Sequence, residues 1–149
     1  MVGDGPERGA LASRAGHFAI ERRARLHGMI RDAGRLFAAF DVFVVSSHSE
    51  GTPIVLFEAM AAGVPIVASQ VGGVPDVVTS AEAVLVPPAD PVVLAEAIRV
   101  VYRDHAAARI RAQRARERLL KEFTVAPWIS RYDAIYRLVT NKARAAVTV

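Results

Sequence analysis

The chain has 149 residues, 52% of them hydrophobic and 23% charged, with 0 cysteines. A core can form over that length, so global disorder is excluded, and so are disulfides, thiolate metal sites and cysteine nucleophiles. Lys and Arg number 19 against 15 Asp and Glu, a net charge of +4 that favours anionic partners without choosing one.

The opening Met1–Pro6 lacks the basic and then apolar pattern of a targeting segment. Arg23 to His27 is predicted as a strand ended by Gly28, and Ala33 to Phe40 as a short amphipathic helix. Asp41–Ser46 and Pro65–Ser69 are continuous apolar runs, rich in β-branched residues and bounded by turn residues, as buried parallel strands are. Between them Thr52 to Ala62 reads as a helix, with Thr52 as N-cap, Pro53 at the first helical position and Gly63 as the stop. Strand, helix and strand in so short a span make a βαβ unit with a parallel sheet.

A third strand is predicted at Val84–Val86, stopped by Pro87 and Pro88. Asp90 then caps a helix from Pro91 to about Arg103, and two more helices follow, about Ala106 to Lys121 and about Pro127 to Thr140. Residues 1–140 are expected to form the domain and 141–149 a flexible tail. The longest charge-free stretch, Ala59 to Pro75, is broken by Gly63, Pro65, Gly72 and Gly73. It therefore reads as helix, turn, strand and loop, not as the ~20 apolar residues of a membrane span.

The informative stretch is Ser49 to Gly63. Its helix holds Ile54, Val55, Leu56, Phe57, Ala59, Met60, Ala61 and Ala62 around one charge, Glu58. A helix apolar on all sides is expected to be buried, where a carboxylate needs a partner. A protein cation or backbone amides satisfy Glu58 on one reading; on the other it awaits ligand hydroxyls. Glu50 and Gly51 lie just past a strand end, where open parallel sheets bind ligands. Ahead of them the free amides near Ile54 and Val55 offer an anion site at a helix start. The dipole supplies only about 0.3–1 kcal/mol there, so it assists a phosphate without holding one alone. An ordinary capped loop accounts for Gly51-Thr52-Pro53 equally well. A second turn, Val71-Gly72-Gly73-Val74-Pro75, could open another short helix and add amides to the same site.

Together these segments carry a resemblance. Glu50 and Glu58 form a Glu-x7-Glu pair. With Asp41–Ser47, Glu58–Ala68, Val71–Pro75, the opening Val2–Arg8 and Leu85–Asp90, the chain resembles the C-terminal, donor-binding half of a retaining, GT-B-fold glycosyltransferase of family 4 over about residues 2 to 139. The resemblance implies an α/β fold, a Rossmann-like parallel sheet closed by C-terminal helices. It implies that Glu58 binds the ribose of a nucleotide-diphosphate sugar and that Glu50 is the catalytic-site carboxylate beside the transferred sugar. Gly51, Thr52, Pro53, Ile54 and Val55 would contact sugar and diphosphate, and His27, Gly28 and Met29 would border the nucleobase. The family implies a hexosyltransferase-type enzyme with no bound metal and no cofactor beyond the donor, working in the cytoplasm.

The family's basic diphosphate clamp and its acceptor-binding N-terminal domain have no counterpart in the sequence, Ala83 stands for a usual Gly, and Asp76 for a usual Glu. The central strand of a 3-2-1-4-5-6 sheet would lie upstream of Met1. The chain thus reads as a truncated half-domain whose strands Arg23–His27 and Asp41–Ser46 expose apolar edges, inactive alone and needing that domain in cis or trans. The alternatives are a non-catalytic nucleotide-sugar-binding or regulatory module, a GT-B nucleotide-sugar epimerase, and a basic interaction module. Seven basic residues between Arg103 and Lys121 read as a solvated helix face, with peripheral contact at the inner membrane face as the lesser reading and no nucleic-acid motif. His48 is taken as a helper of the Glu50 loop, and Trp128, Tyr132 and Tyr136 as a core-packing stripe.

Overall fold

A computed structural model describes residues 1–146 of the chain, with side chains through Thr140. Two compact units emerge, Met1–Leu36 and Phe37–Val149.

In the first unit one helix, α1 (Arg8–His17), forms where no helix was predicted. It buries none of its residues, and its Ala-, Arg- and Gly-rich run shows no apolar stripe to betray it. The predicted strand Arg23–His27 does not form. The Arg23 and Ala24 amides donate instead to the Ile20 carbonyl, folding the chain into a turn; an isolated antiparallel bridge joins Gly3 to Gly28, the His27 amide donates to the Met1 carbonyl and the Met1 amino group to the Arg25 carbonyl. Arg22, Arg23 and Arg25 are exposed, so a strand here would have had little apolar surface to bury. The predicted helix Ala33–Phe40 is a 3-10 helix, Ala33–Ala39, leading from one unit into the next.

The second unit holds a three-stranded parallel sheet in the order β1-β2-β3: β1 (Phe43–Val45), β2 (Ile66–Ser69) and β3 (Val84–Val86). Phe43 pairs with Ile66, and Val67 with Val84. Alternate side chains go to opposite faces, as the pleat requires. Phe43, Val45, Ile66, Ala68 and Leu85 enter one cluster, while Val42, Val44, Val67, Val84 and Val86 enter another. The βαβ expectation and the α/β class hold, although β1 and β2 are shorter than the predicted Asp41–Ser46 and Pro65–Ser69. Among the described residues β1 pairs on one side only.

The helices complete both faces. α2 (Ile54–Ala62) covers the first cluster with Leu56, Ala59 and Met60, joined by Val74 and Val77 of the four-residue α3 (Val74–Val77). α4 (Pro91–Arg103) covers the second with Ala97 and Val101. Asp90 caps α4 as predicted, its Oδ1 accepting from the Val92 and Val93 amides at 3.1 and 2.9 Å. α5 (His105–Glu122) lies against α2 and α4 through Ala108, Ala112 and Ala115, with Ala108 in the second cluster and Ala115 in the first. α6 (Val125–Ala146) runs past the predicted end at Thr140; the flexible-tail expectation otherwise falls on 147–149, outside the described residues. Trp128, Tyr132 and Tyr136 do not pack into a core: they are 56%, 47% and 66% exposed, and the first two rings touch in a tilted arrangement with centroids 4.5 Å apart. Their spacing marks one helix face, as expected, but nothing in the described residues covers it. No described helix is long and apolar enough to cross a membrane.

Candidate functional site

The second unit gathers Glu50, Gly51, Thr52, Pro53, Ile54, Val55 and Glu58 around the carboxyl end of β1 and the start of α2. The first unit holds His27, Gly28 and Met29. There Gly28 is buried with a φ of +72° while His27 and Met29 are exposed. A concavity of about 310 Å³ in the first unit is lined by Gly3, Asp4, Arg8, Leu11 and Leu26 among others, and none of the predicted site residues contributes to it.

Glu58 is the main correction. It is exposed, because α2 is covered on one face only. Leu56, Ala59 and Met60 turn inward, while Ile54 and Val55 are 72% and 40% exposed and Ala61 and Ala62 are exposed as well. A composition apolar all round therefore does not make a helix buried all round, and the desolvation argument for a Glu58 partner falls away. What stands is that Glu58 has no ion-pair or hydrogen-bond partner among the described residues. It lies one turn from Ile54 and Val55, on their open face.

The helix start also differs. Pro53, not Thr52, is the N-cap, with extended backbone (φ −75°, ψ 102°), and the Thr52 hydroxyl makes no capping bond. The Leu56 amide donates to the Pro53 carbonyl at 3.0 Å. The Ile54 and Val55 amides are left without a partner among the described residues, beside exposed Gly51 and Thr52. Gly63 ends the helix as predicted, in the left-handed region at φ +68°.

Glu50 is half-buried, and Ser47 Oγ donates to its Oε1 at 2.5 Å. Ser47, not the exposed His48, is thus the polar neighbour of Glu50. The three-residue spacing of Ser47 and Glu50 in a loop was the available sign of this.

The Gly72-Gly73 turn has a structural role that was not expected. The Gly73 amide is spent on the Glu50 and Gly51 carbonyls, at 3.4 and 3.0 Å. A Cβ at Gly72, where φ is +47°, would fall 1.8 Å from the Glu50 carbonyl oxygen, and one at Gly73 would fall 2.3 Å from that of Gly51. The glycines allow two loops to meet backbone to backbone. The loop after β2 thereby supports the loop after β1 and does not offer Gly73 to an anion.

The most organised polar cluster of the second unit was not foreseen. Glu82 is only 8% exposed. Its Oε2 accepts from the Thr79 amide (2.8 Å), the Thr79 hydroxyl (2.7 Å) and Arg118 (3.3 Å). Burial acts to raise the Glu82 pKa, but the Thr79 hydrogen bonds and the Arg118 guanidinium outweigh it and hold the carboxyl below its ordinary 4.5. Arg118, expected on a solvated face, also donates to the Asp76 carbonyl at 3.2 Å.

Residues 1–104 match the family described as glycosyl transferases group 1. The chain is 31% identical over 137 residues to N-acetyl-alpha-D-glucosaminyl L-malate synthase of Bacillus anthracis, covering 91% of this chain and 36% of that protein. Sucrose-phosphate synthase from Thermosynechococcus elongatus superposes with a TM-score of 0.80 at 32% identity over 95% of this chain and 38% of its own. Anabaena Alr3699/HepE, solved in complex with UDP, superposes with a TM-score of 0.82 at 25% identity over 94% of this chain and 40% of its own. The chain therefore spans between 36% and 40% of the length of these proteins.

Proposed function

Because the chain belongs to the group 1 glycosyl transferases, with their α/β fold, we propose that its second unit binds the donor, a nucleotide-diphosphate sugar, for retaining transfer of a hexose to an acceptor. One observation carries the reading: Glu58 is an exposed, unpartnered carboxylate on the open face of α2, one turn from two free amides, with half-buried Glu50 just before the helix. A carboxylate accepts from two vicinal hydroxyls, which suits the ribose. The amides and the positive end of α2 suit the diphosphate, a sequence-independent anion site. Glu50, steadied by Ser47, suits the hydroxyls of the transferred sugar and a positive charge developing on it. Alr3699/HepE, solved with UDP and with UDP-glucose, supports a nucleotide-sugar ligand.

The match covers 36% of the malate synthase relative, and the reading assigns the 149-residue chain the donor side alone, with binding and no sustained turnover. The test is calorimetric titration of the chain with UDP-, GDP- and ADP-sugars, native and Glu58→Ala. A hydrogen bond to a charged acceptor contributes about 1.5–3 kcal/mol, so Glu58→Ala weakens binding of the preferred donor about 10- to 100-fold. Equal affinity of the two proteins would overturn the assignment of Glu58, and sustained transfer by the native chain would overturn the division of labour.

A further inference from the structure

We infer that Arg118 is a positioning residue for the Glu50 loop and for α2, acting from α5 through two chains of contact; the functional half of this inference rests on the donor-binding reading above. The first chain runs through α3. One arm of the guanidinium holds Glu82 at 3.3 Å and the other donates to the Asp76 carbonyl at 3.2 Å. Asp76 belongs to α3, and α3 starts directly after Gly72-Gly73. Those two glycines have no slack: the Glu50 carbonyl oxygen lies 1.8 Å from where a Gly72 Cβ would sit, and the Gly73 amide donates to Gly51 at 3.0 Å. A displacement of α3 therefore reaches Glu50 directly, since close-packed backbone transmits strain and does not absorb it.

The second chain runs through two aromatic rings. The Arg118 guanidinium carbon lies 5.8 Å from the centre of the Phe123 ring, and that ring lies 5.0 Å from the ring of Phe57. Phe57 immediately precedes Glu58 on α2. One side chain of α5 thus bears on the support of both Glu50 and Glu58, while Glu122 approaches its Nε at 3.5 Å and completes the surrounding charge. The planar fork suits this task. Arginine presents fixed donors in two directions, one to a carboxylate and one to a backbone carbonyl, where lysine presents a single mobile ammonium. Glu82 is itself fixed by both donors of Thr79, so the fork is anchored to the segment between α3 and β3.

Removing Arg118 alone leaves Glu82 buried without its cation, which threatens folding for reasons unrelated to positioning. The decisive variant is therefore Glu82→Gln/Arg118→Met, which removes charge and counter-charge together, with Arg118→Lys as the conservative companion. Amide hydrogen exchange followed by mass spectrometry reads the coupling, and titration with UDP-, GDP- and ADP-sugars reads its consequence. The expected result is a folded double variant in which the segments 50–57 and 72–78 exchange faster while β2 and β3 keep native protection. Its affinity for the preferred donor falls by about tenfold. Arg118→Lys gives the same pattern in smaller degree. A folded double variant with native exchange in 50–57 and 72–78 overturns the inference, and so does native donor affinity beside altered exchange. A native chain that ignores all three nucleotide sugars overturns the donor reading and the functional half of the inference with it, and the exchange pattern then decides the mechanical half.

Discussion

Replacing Gly72 by alanine isolates the contact between the two loops. The residue has a φ of +47°, where an L side chain is strained by about 1–2 kcal/mol. Its Cβ would lie 1.8 Å from the Glu50 carbonyl oxygen, which is backbone and has no rotamer to escape into. Relieving such overpacking costs about 1–3 kcal/mol through shifted backbone. Alanine also narrows the unfolded ensemble, an offset of about 0.4–1 kcal/mol. The expected net loss is about 2–4 kcal/mol, which at 2–4 °C per kcal/mol for a chain of this size lowers Tm by about 5–15 °C. Two other glycines act as controls. Gly63→Ala meets nothing within 4 Å and carries only the strain of its φ of +68°, about 1–2 kcal/mol before the same offset. Gly51→Ala meets nothing within 4 Å and has no left-handed angle, so it stays within about 0.5 kcal/mol of native. Urea unfolding followed by far-ultraviolet circular dichroism ranks the three. A Gly72→Ala chain as stable as Gly51→Ala would refute the backbone contact and the mechanical coupling built on it.

Acid should act through Glu82. Its carboxyl is held below 4.5, so the unfolded chain takes up the proton first as pH falls, and the stabilisation present above about 4.5 is lost as pH falls through the folded value. The urea midpoint drops on acidification, and Glu82→Gln shows a flatter drop; parallel curves would exclude Glu82 as the cause. Asp90→Ala removes the acceptor for two amides and should cost about 1 kcal/mol, or about 2–4 °C in Tm, with unchanged donor binding. Leu56→Ala, which empties a fully buried site on the inner face of α2, should cost about 2–5 kcal/mol by equilibrium unfolding.

Local chemistry was legible wherever it acted locally. β3 and α4 occupy their predicted bounds, because Pro87, Pro88, Asp90 and Pro91 punctuate the chain by means that need no tertiary partner. The βαβ order and the Gly63 stop were legible for the same reason. The start of α2 was misplaced by one residue: a proline after a threonine suits either the cap or the first helical position, and the extended ψ of Pro53 decides for the cap. Which face of α2 is covered was not legible, since apolar residues populate both faces, Leu56, Ala59 and Met60 inside and Ile54, Val55, Ala61 and Ala62 outside, and only the packing of α5 and the sheet distinguishes them. Arg118 and Glu82 stand 36 positions apart, and nothing in the sequence near either one points to the other. The Gly72-Gly73 pair was visible, but its reason lies in a loop more than twenty positions earlier.

The three buried alanines of α5 also determine where that helix stops along its own axis. A slide of one turn in either direction, by three residues or by four, would bring an arginine into a slot built for a methyl group: Arg109, Arg111, Arg116 or Arg118 in place of Ala108, Ala112 or Ala115. The rod is thus keyed like a notched shaft, with every neighbouring notch blocked by a long cationic side chain. A helix with few large residues to grip its neighbours is thus held against a one-turn slip either way, and Arg118 arrives opposite Glu82 because the adjacent alignments are obstructed.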